Sequence, residues 1–179
     1  MWRYAIPIAL FVVLAILFRR GLNLNPGYIE SPFLGKPAPE FVLPSLQDPA
    51  ETIDASVFEG RTTLFNVWGT WCPGCRQEHA FLNEIAKTSG VPIYGLNWKD
   101  DREKALNWLS TLGNPYTASG FDQIGDVAID WGVYGAPETF LIGRDGTVLY
   151  KHIAPLSADV WQREFIPRIT ADCGAYPCR

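Results

Sequence analysis

The sequence predicts an α/β domain, a central mixed sheet with helices on both faces, preceded by an apolar N-terminal helix. Three observations carry this. From Arg61 onward, apolar strand-like runs alternate with amphipathic segments, the pattern of strand-helix-strand units around a parallel sheet. The turn signal Gly143-Arg-Asp-Gly146 joins the last two strand-like runs and adds an antiparallel hairpin. The 179 residues are 47% apolar and 19% charged, which suits one full core with an appendage and argues against disorder. A net charge of −4 leaves no basic footprint for nucleic acid.

Residues 1–20 read as a membrane anchor. Arg3 precedes an uncharged run from Tyr4 to Phe18, and Arg19 and Arg20 follow it. Fifteen residues reach about 22 Å into a hydrocarbon core about 30 Å thick. Snorkelling arginines, with Trp2 and Tyr4 at the interface, cover the difference. A cleaved signal peptide is the alternative, but no small-x-small pair follows the run. Positive charge is nearly balanced across the two flanks, so orientation stays open. Residues 21–36, broken by proline and glycine, read as a linker.

The domain is expected over residues 37–172. Lys36 to Leu43 leads into a first edge strand, and Arg61 to Trp68 is a core strand buried on both faces. A helix runs from Cys72 to about Lys87 and stops at Gly90. Val91 to Trp98 is the second core strand, and Asp100-Asp-Arg-Glu opens a helix that ends near Leu112. Pro115 to Phe121 is a short extended piece, and Asp126 to Trp131 a short helix. Thr139 to Ile142 and Thr147 to His152 form the final hairpin. Ser157 caps a last helix that turns Val160, Trp161, Phe165 and Ile169 inward. In the tail, residues 173–179, Cys173 and Cys178 read as a short disulfide in preference to a second redox site.

The chemistry is concentrated in Trp68-Gly-Thr-Trp-Cys-Pro-Gly-Cys-Arg-Gln-Glu-His79. A cysteine at the start of a helix faces unpaired N–H groups and the positive dipole end. That setting lowers its pKa from about 8.5 towards about 7 or below, which makes Cys72 the nucleophile. Cys75, one turn on, is placed to attack a mixed disulfide at Cys72 and release the reduced product. Zinc ligation and a static disulfide are the competing readings. Haem attachment is excluded because Arg76, not histidine, follows Cys75, and no second pair with ligand-like spacing exists, so no metal site is assigned. Glu78 falls on the apolar stripe with Cys75, Leu82 and Ile85. It either snorkels to water or acts as a half-buried proton shuttle for Cys75. His79 reads as a surface or boundary residue with no role. Trp68 and Trp71 are either core packers or substrate contacts.

These motifs, with Pro37-Ala-Pro39, Tyr94-Gly-Leu-Asn-Trp-Lys-Asp100 and Asp130-Trp-Gly-Val-Tyr-Gly-Ala-Pro-Glu-Thr-Phe140, resemble the thioredoxin superfamily. Within it, the chain is similar to the CcmG or DsbE family of cytochrome c biogenesis. The resemblance covers most of residues 37–153. It implies a thioredoxin-like fold and a thiol:disulfide oxidoreductase needing no cofactor, tethered at the bacterial inner membrane with its domain in the periplasm. It further implies reduction of apocytochrome c, or of a partner thiol protein, for haem attachment. A membrane thiol transporter of the CcdA or DsbD type would return the electrons. Cys72 then attacks, Cys75 resolves and Pro137 is the cis proline facing them. Glu78 and Glu138 supply acidic surroundings, and Trp71, Pro73, Gly74, Ala136 and Glu138 meet the substrate. A general periplasmic oxidase or isomerase, and a non-catalytic module that binds apocytochrome, are the alternatives.

Overall fold

The computed structural model describes residues 2–22 and 32–178. Helix α1 (Trp2–Leu22) carries its apolar side chains from Ile6 to Phe18 exposed. Among the described residues no helix is long and apolar enough to cross a membrane. The uncharged run inside α1 is shorter than a hydrocarbon core, which is the physical reason. Residues 23–31 of the expected linker lie outside the described residues.

The domain begins with a hairpin of β1 (Val42–Pro44) and β2 (Thr52–Asp54), where one edge strand was expected. The strands that follow are β3 (Thr63–Trp68), β4 (Ile93–Trp98), β5 (Ala118–Asp122), β6 (Glu138–Ile142) and β7 (Val148–Ile153). They form one sheet in the order β5-β4-β3-β6-β7. The first three are parallel, while β6 runs antiparallel to β3 and β7 antiparallel to β6. The hairpin covers the free edge of β5, with the Leu46 N–H donating to the Ser119 carbonyl at 2.7 Å. A covered edge cannot pair with another chain.

Helices α2 (Pro73–Thr88) and α3 (Arg102–Leu112) connect the three parallel strands. Both crossovers step across the sheet in the same direction, so right-handedness puts both helices on one face. Leu64, Trp68, Leu82, Ile85, Ile93 and Trp108 are buried there. The chain then returns past β3 through α4 (Asp126–Asp130), which covers the opposite face. That face is aromatic: the Trp131 ring lies 4.5 Å from Phe65 and 5.1 Å from Phe140, centroid to centroid. Strand parity divides β3 between the two cores, with Phe65 and Val67 on the α4 face and Leu64 and Trp68 on the α2 face.

The C-terminal helix starts as α5 (Ala158–Val160), passes through a π turn (Trp161–Phe165) and ends as α6 (Ile166–Cys173). Ser157 caps it through the Val160 N–H. Cys173 and Cys178 are joined by a disulfide. The Cys178 N–H donates to the Ser89 carbonyl at 3.0 Å, pinning the tail beneath the end of α2. Replacing both cysteines by alanine is expected to lower unfolding stability by about 2 kcal/mol, the loop-closure value for so short a ring. Guanidinium unfolding reads this. The variant is expected to keep its thiol exchange, and loss of exchange would instead put the tail pair in the electron path.

Candidate active site

β3 ends at Trp68 between β4 and β6, the point in the sheet where chain order changes direction, and ligands of open α/β sheets bind outside the strand ends at such switch points. Thr70 is tied down here by the Asp100 carboxylate, which accepts from its N–H and its Oγ1, each at 2.6 Å. Asn97 Nδ2 donates to the same carboxylate at 2.9 Å. Trp71 is 49% exposed, and its Nε1 donates to the Trp98 carbonyl. A Cβ on Gly69 would lie 2.6 Å from that nitrogen, so only glycine lets the indole fold back.

Cys72 is the N-cap of α2, with extended backbone angles, and Pro73 follows as the first helical residue. Proline suits that place because its missing N–H would have no helical partner. The Cys75 N–H donates to Cys72 Sγ at 3.0 Å. The two cysteines form a disulfide with Cα atoms 5.3 Å apart, so the structure is that of the oxidised protein. Both residues are buried, and Pro73 beside them is exposed.

The Ala136-Pro137 peptide bond is cis. Pro137 lies against the cysteine turn, since a Cβ on Gly74 would come within 2.8 Å of Pro137 Cδ and 3.1 Å of Pro155 Cγ. Cys72, Cys75, Pro73, Gly74 and Pro137 are thereby brought together, with half-buried Ala136 alongside.

Glu78 lies one turn below Cys75 and is 1% exposed, so it does not snorkel to water. Oε1 accepts from Asn66 Nδ2 at 2.9 Å, and Oε2 from the Leu156 N–H at 2.6 Å. Burial pushes its pKa up to about 7, against the opposing pull of those two hydrogen bonds.

Glu138 departs from expectation. It was placed among the acidic, substrate-facing groups, but it is fully buried on the α4 side of the sheet. Oε2 pairs with Lys151 Nζ at 2.9 Å, and Oε1 accepts the N–H groups of Tyr134 and Gly135 at 2.8 and 3.2 Å. Strand parity is the reason, since Glu138 and Phe140 share a face that Thr139 opposes. His79 is also corrected: it is buried, accepts from Trp108 Nε1 at its Nδ1, and bonds the Gly113 carbonyl through Nε2. Burial holds its pKa below the usual imidazole range. Of the two tryptophans, Trp68 is a core packer stacked on Tyr116 at 5.2 Å. Asn66, Tyr116, Thr139, Asp100 and Lys151 were not found from the sequence. Asp100 and Thr139 lie inside motifs of the resemblance with no role attached to them, and the polar Asn66 inside an apolar strand is a further signal.

The Redoxin family model matches residues 33–164. The thiol:disulfide interchange protein DsbE of Allochromatium vinosum is 47% identical over 175 residues, 98% of this chain and 97% of its own length. The chain belongs to the DsbE family of thiol:disulfide interchange proteins. The relative of that name from Escherichia coli K12 is 45% identical over 168 residues, 90% of each chain. A crystal structure of a candidate DsbE from Chlorobium tepidum is 27% identical with a TM-score of 0.66, covering 78% of this chain and 96% of that one. This DsbE-family chain is therefore a thiol:disulfide oxidoreductase with a thioredoxin-like fold. Among the described residues no cluster of side chains fit to hold a metal is present.

The Glu78 environment has a thermodynamic signature. Between its ordinary value of 4.5 and about 7, the folded protein holds a proton that the unfolded chain releases. Stability must then fall as pH rises through that window, by about 3 kcal/mol in full. Glu78→Gln is expected to remove this component, so that the difference in unfolding free energy between variant and wild type changes from pH 4.5 to pH 7. Urea unfolding at the two pH values measures it, and a constant difference would contradict the buried, proton-holding carboxyl.

Proposed function

We propose that the chain is a membrane-tethered reductant on the periplasmic side of the bacterial inner membrane, which reduces apocytochrome c, or a partner thiol protein, for haem attachment. The observation that carries the redox chemistry is the Cys72 sulfur capping α2 through the Cys75 N–H. The cytochrome substrate, the CcdA or DsbD type of electron donor and the periplasmic setting rest on the resemblance to the CcmG family drawn from the sequence. The anchor is assigned to α1, whose exposed apolar side chains end at Arg19 and Arg20. The arginine stems extend the apolar length when their charges reach the interface.

In the reduced protein the Cys72 thiolate is stabilised by the helix terminus and attacks one sulfur of the substrate disulfide. The other substrate sulfur leaves as a thiolate, and a mixed disulfide joins Cys72 to the substrate. Cys75 gives its proton to Glu78 and attacks Cys72 Sγ. The second substrate sulfur leaves and takes up a proton, so two electrons have passed to the substrate and the Cys72–Cys75 disulfide has formed. The substrate segment lies beside Pro137, where the backbone of Ala136 pairs with it, with Trp71, Pro73 and Gly74 on the other side. Glu138 serves this surface from behind, by holding the N–H groups of Tyr134 and Gly135.

The reduced full chain is expected to reduce a peptide bearing a disulfide-bonded Cys-x-x-Cys-His sequence, and Cys72→Ser to return the rate to that of free solution. Turnover surviving in the variant, or net oxidation of the reduced peptide, would overturn the assignment. The full chain is also expected to sediment with phospholipid vesicles, whereas a chain starting at residue 32 stays in the supernatant. Equal partitioning of the two would remove the anchor.

A further inference from the structure

The buried side of Glu78 is a closed hydrogen-bond network that takes no part in the exchange steps themselves. Asn66 is fully buried in the middle of β3. Its Nδ2 donates to Glu78 Oε1 at 2.9 Å and to Thr139 Oγ1 at 3.0 Å, while its Oδ1 accepts from the Tyr116 hydroxyl at 2.8 Å. All the strong capacity of the amide nitrogen is spent on two acceptors, one of them the carboxyl.

A carboxamide can turn over, exchanging its oxygen for its nitrogen. The turned amide would set Oδ1 against Glu78 Oε1, and two acceptors at that distance are compatible only when the carboxyl carries a proton. Which way the amide faces is therefore coupled to the proton on Glu78. Tyr116 decides the orientation. Its ring is stacked on Trp68, its backbone N–H is held by Asn114 Oδ1, and it is 6% exposed, so its hydroxyl has one place to be. Burial first, and the Glu78 charge second, push its ionisation well above the usual phenol value, so it keeps its proton, which Asn66 Oδ1 accepts and which a turned amide would leave facing the amide nitrogen.

We propose that Asn66 and Tyr116 are positioning residues for thiol exchange: the Tyr116 hydroxyl pins the Asn66 amide with its N–H towards Glu78 and so presents Glu78 to Cys75 as a proton acceptor. This rests on the reading of Glu78 as the proton carrier. The other titratable groups on the elements packed around Glu78 are few. Cys72 and Cys75 lie at the head of its own helix. His152 on β7 pairs with Thr139, and burial keeps it towards the neutral form, opposed by its bond to Pro155 and by Glu164 of the π turn. His79 faces Trp108 and Gly113 of the α3 end, and the Glu138–Lys151 pair lies on the other side of the sheet.

The test uses the full chain with 13C-labelled glutamate, the Glu78 carboxyl signal being assigned by its absence in Glu78→Gln. Tyr116→Phe keeps the stacked ring and removes only the hydroxyl. It is expected to move the Glu78 titration midpoint up by about one pH unit, because the released amide can turn and the Asn66 bond to the Glu78 carboxylate is then lost in part. Asn66→Leu, which removes the donor itself, is expected to move it further. The pH profile of disulfide-peptide reduction should shift with the midpoint in Tyr116→Phe, and Tyr116→Phe should add no shift in a Glu78→Gln background. A general loss of packing would lower rates without moving the profile. A midpoint that stays in place in both variants while Glu78→Gln alters the profile overturns the inference alone. A profile unaltered by Glu78→Gln overturns the reading of Glu78 as proton carrier, and the inference with it.

Discussion

A helix needs something to take up its first N–H groups, and side-chain oxygens usually do so. In this chain the cap is sulfur. Cys72 Sγ receives the Cys75 N–H, and a neutral thiol is a weak acceptor. A thiolate satisfies that end far better, because it adds a negative charge at the positive end of the helix dipole. In the oxidised protein that sulfur belongs to the Cys72–Cys75 disulfide, and reduction would let a thiolate complete the element that terminates β3 and starts α2. Everything nearby holds this cap in place. Asp100 fixes Thr70 ahead of it, and the bare Cα of Gly74 lets Pro137 close over it.

The second constraint is a carboxyl on an apolar helix face. Cys75, Glu78, Leu82 and Ile85 are all buried along one side of α2. Two donors favour the charged form of Glu78, yet its pKa still rises to about 7, so burial outweighs them. The result is a proton site that changes state within the range where cysteine ionises. A polar residue inside β3 helps make this tolerable, because Asn66 joins Oε1 of the carboxyl to the sheet while the Leu156 N–H holds Oε2.

Local pattern was enough to read the elements that build the site. Helix α2 with its inward stripe, the strand pair β3 and β4, helix α3 and the final hairpin all announce themselves by period and by capping residues. The β1–β2 hairpin did not, because its strands are three residues each and too short for a period to show. His79 was misplaced because the helix period alone does not tell which flank another helix will cover, and α3 covers that one. Tyr116 and Thr139 stand 50 and 73 residues from Asn66. Their convergence is a property of strand order, which no local pattern contains.

Glu138 shows the same limit more sharply, since it adjoins Pro137 in sequence and yet points away from the cysteines. β6 begins directly after the cis proline, and alternate residues then leave on opposite faces. On the α4 face Glu138 binds Lys151 and the N–H groups of Tyr134 and Gly135, and Lys151 also donates to the Gly132 carbonyl at 2.8 Å. On the α2 face Thr139 meets the amide of Asn66, which holds Glu78. The Pro137 turn is therefore braced from both sides of the sheet by successive residues. One carboxyl is matched with a buried cation and holds the loop, whereas the other, with no cation beside it among the described residues, has its pKa raised by burial to about 7. Two glutamates near one disulfide do different work because the sheet separates their surroundings.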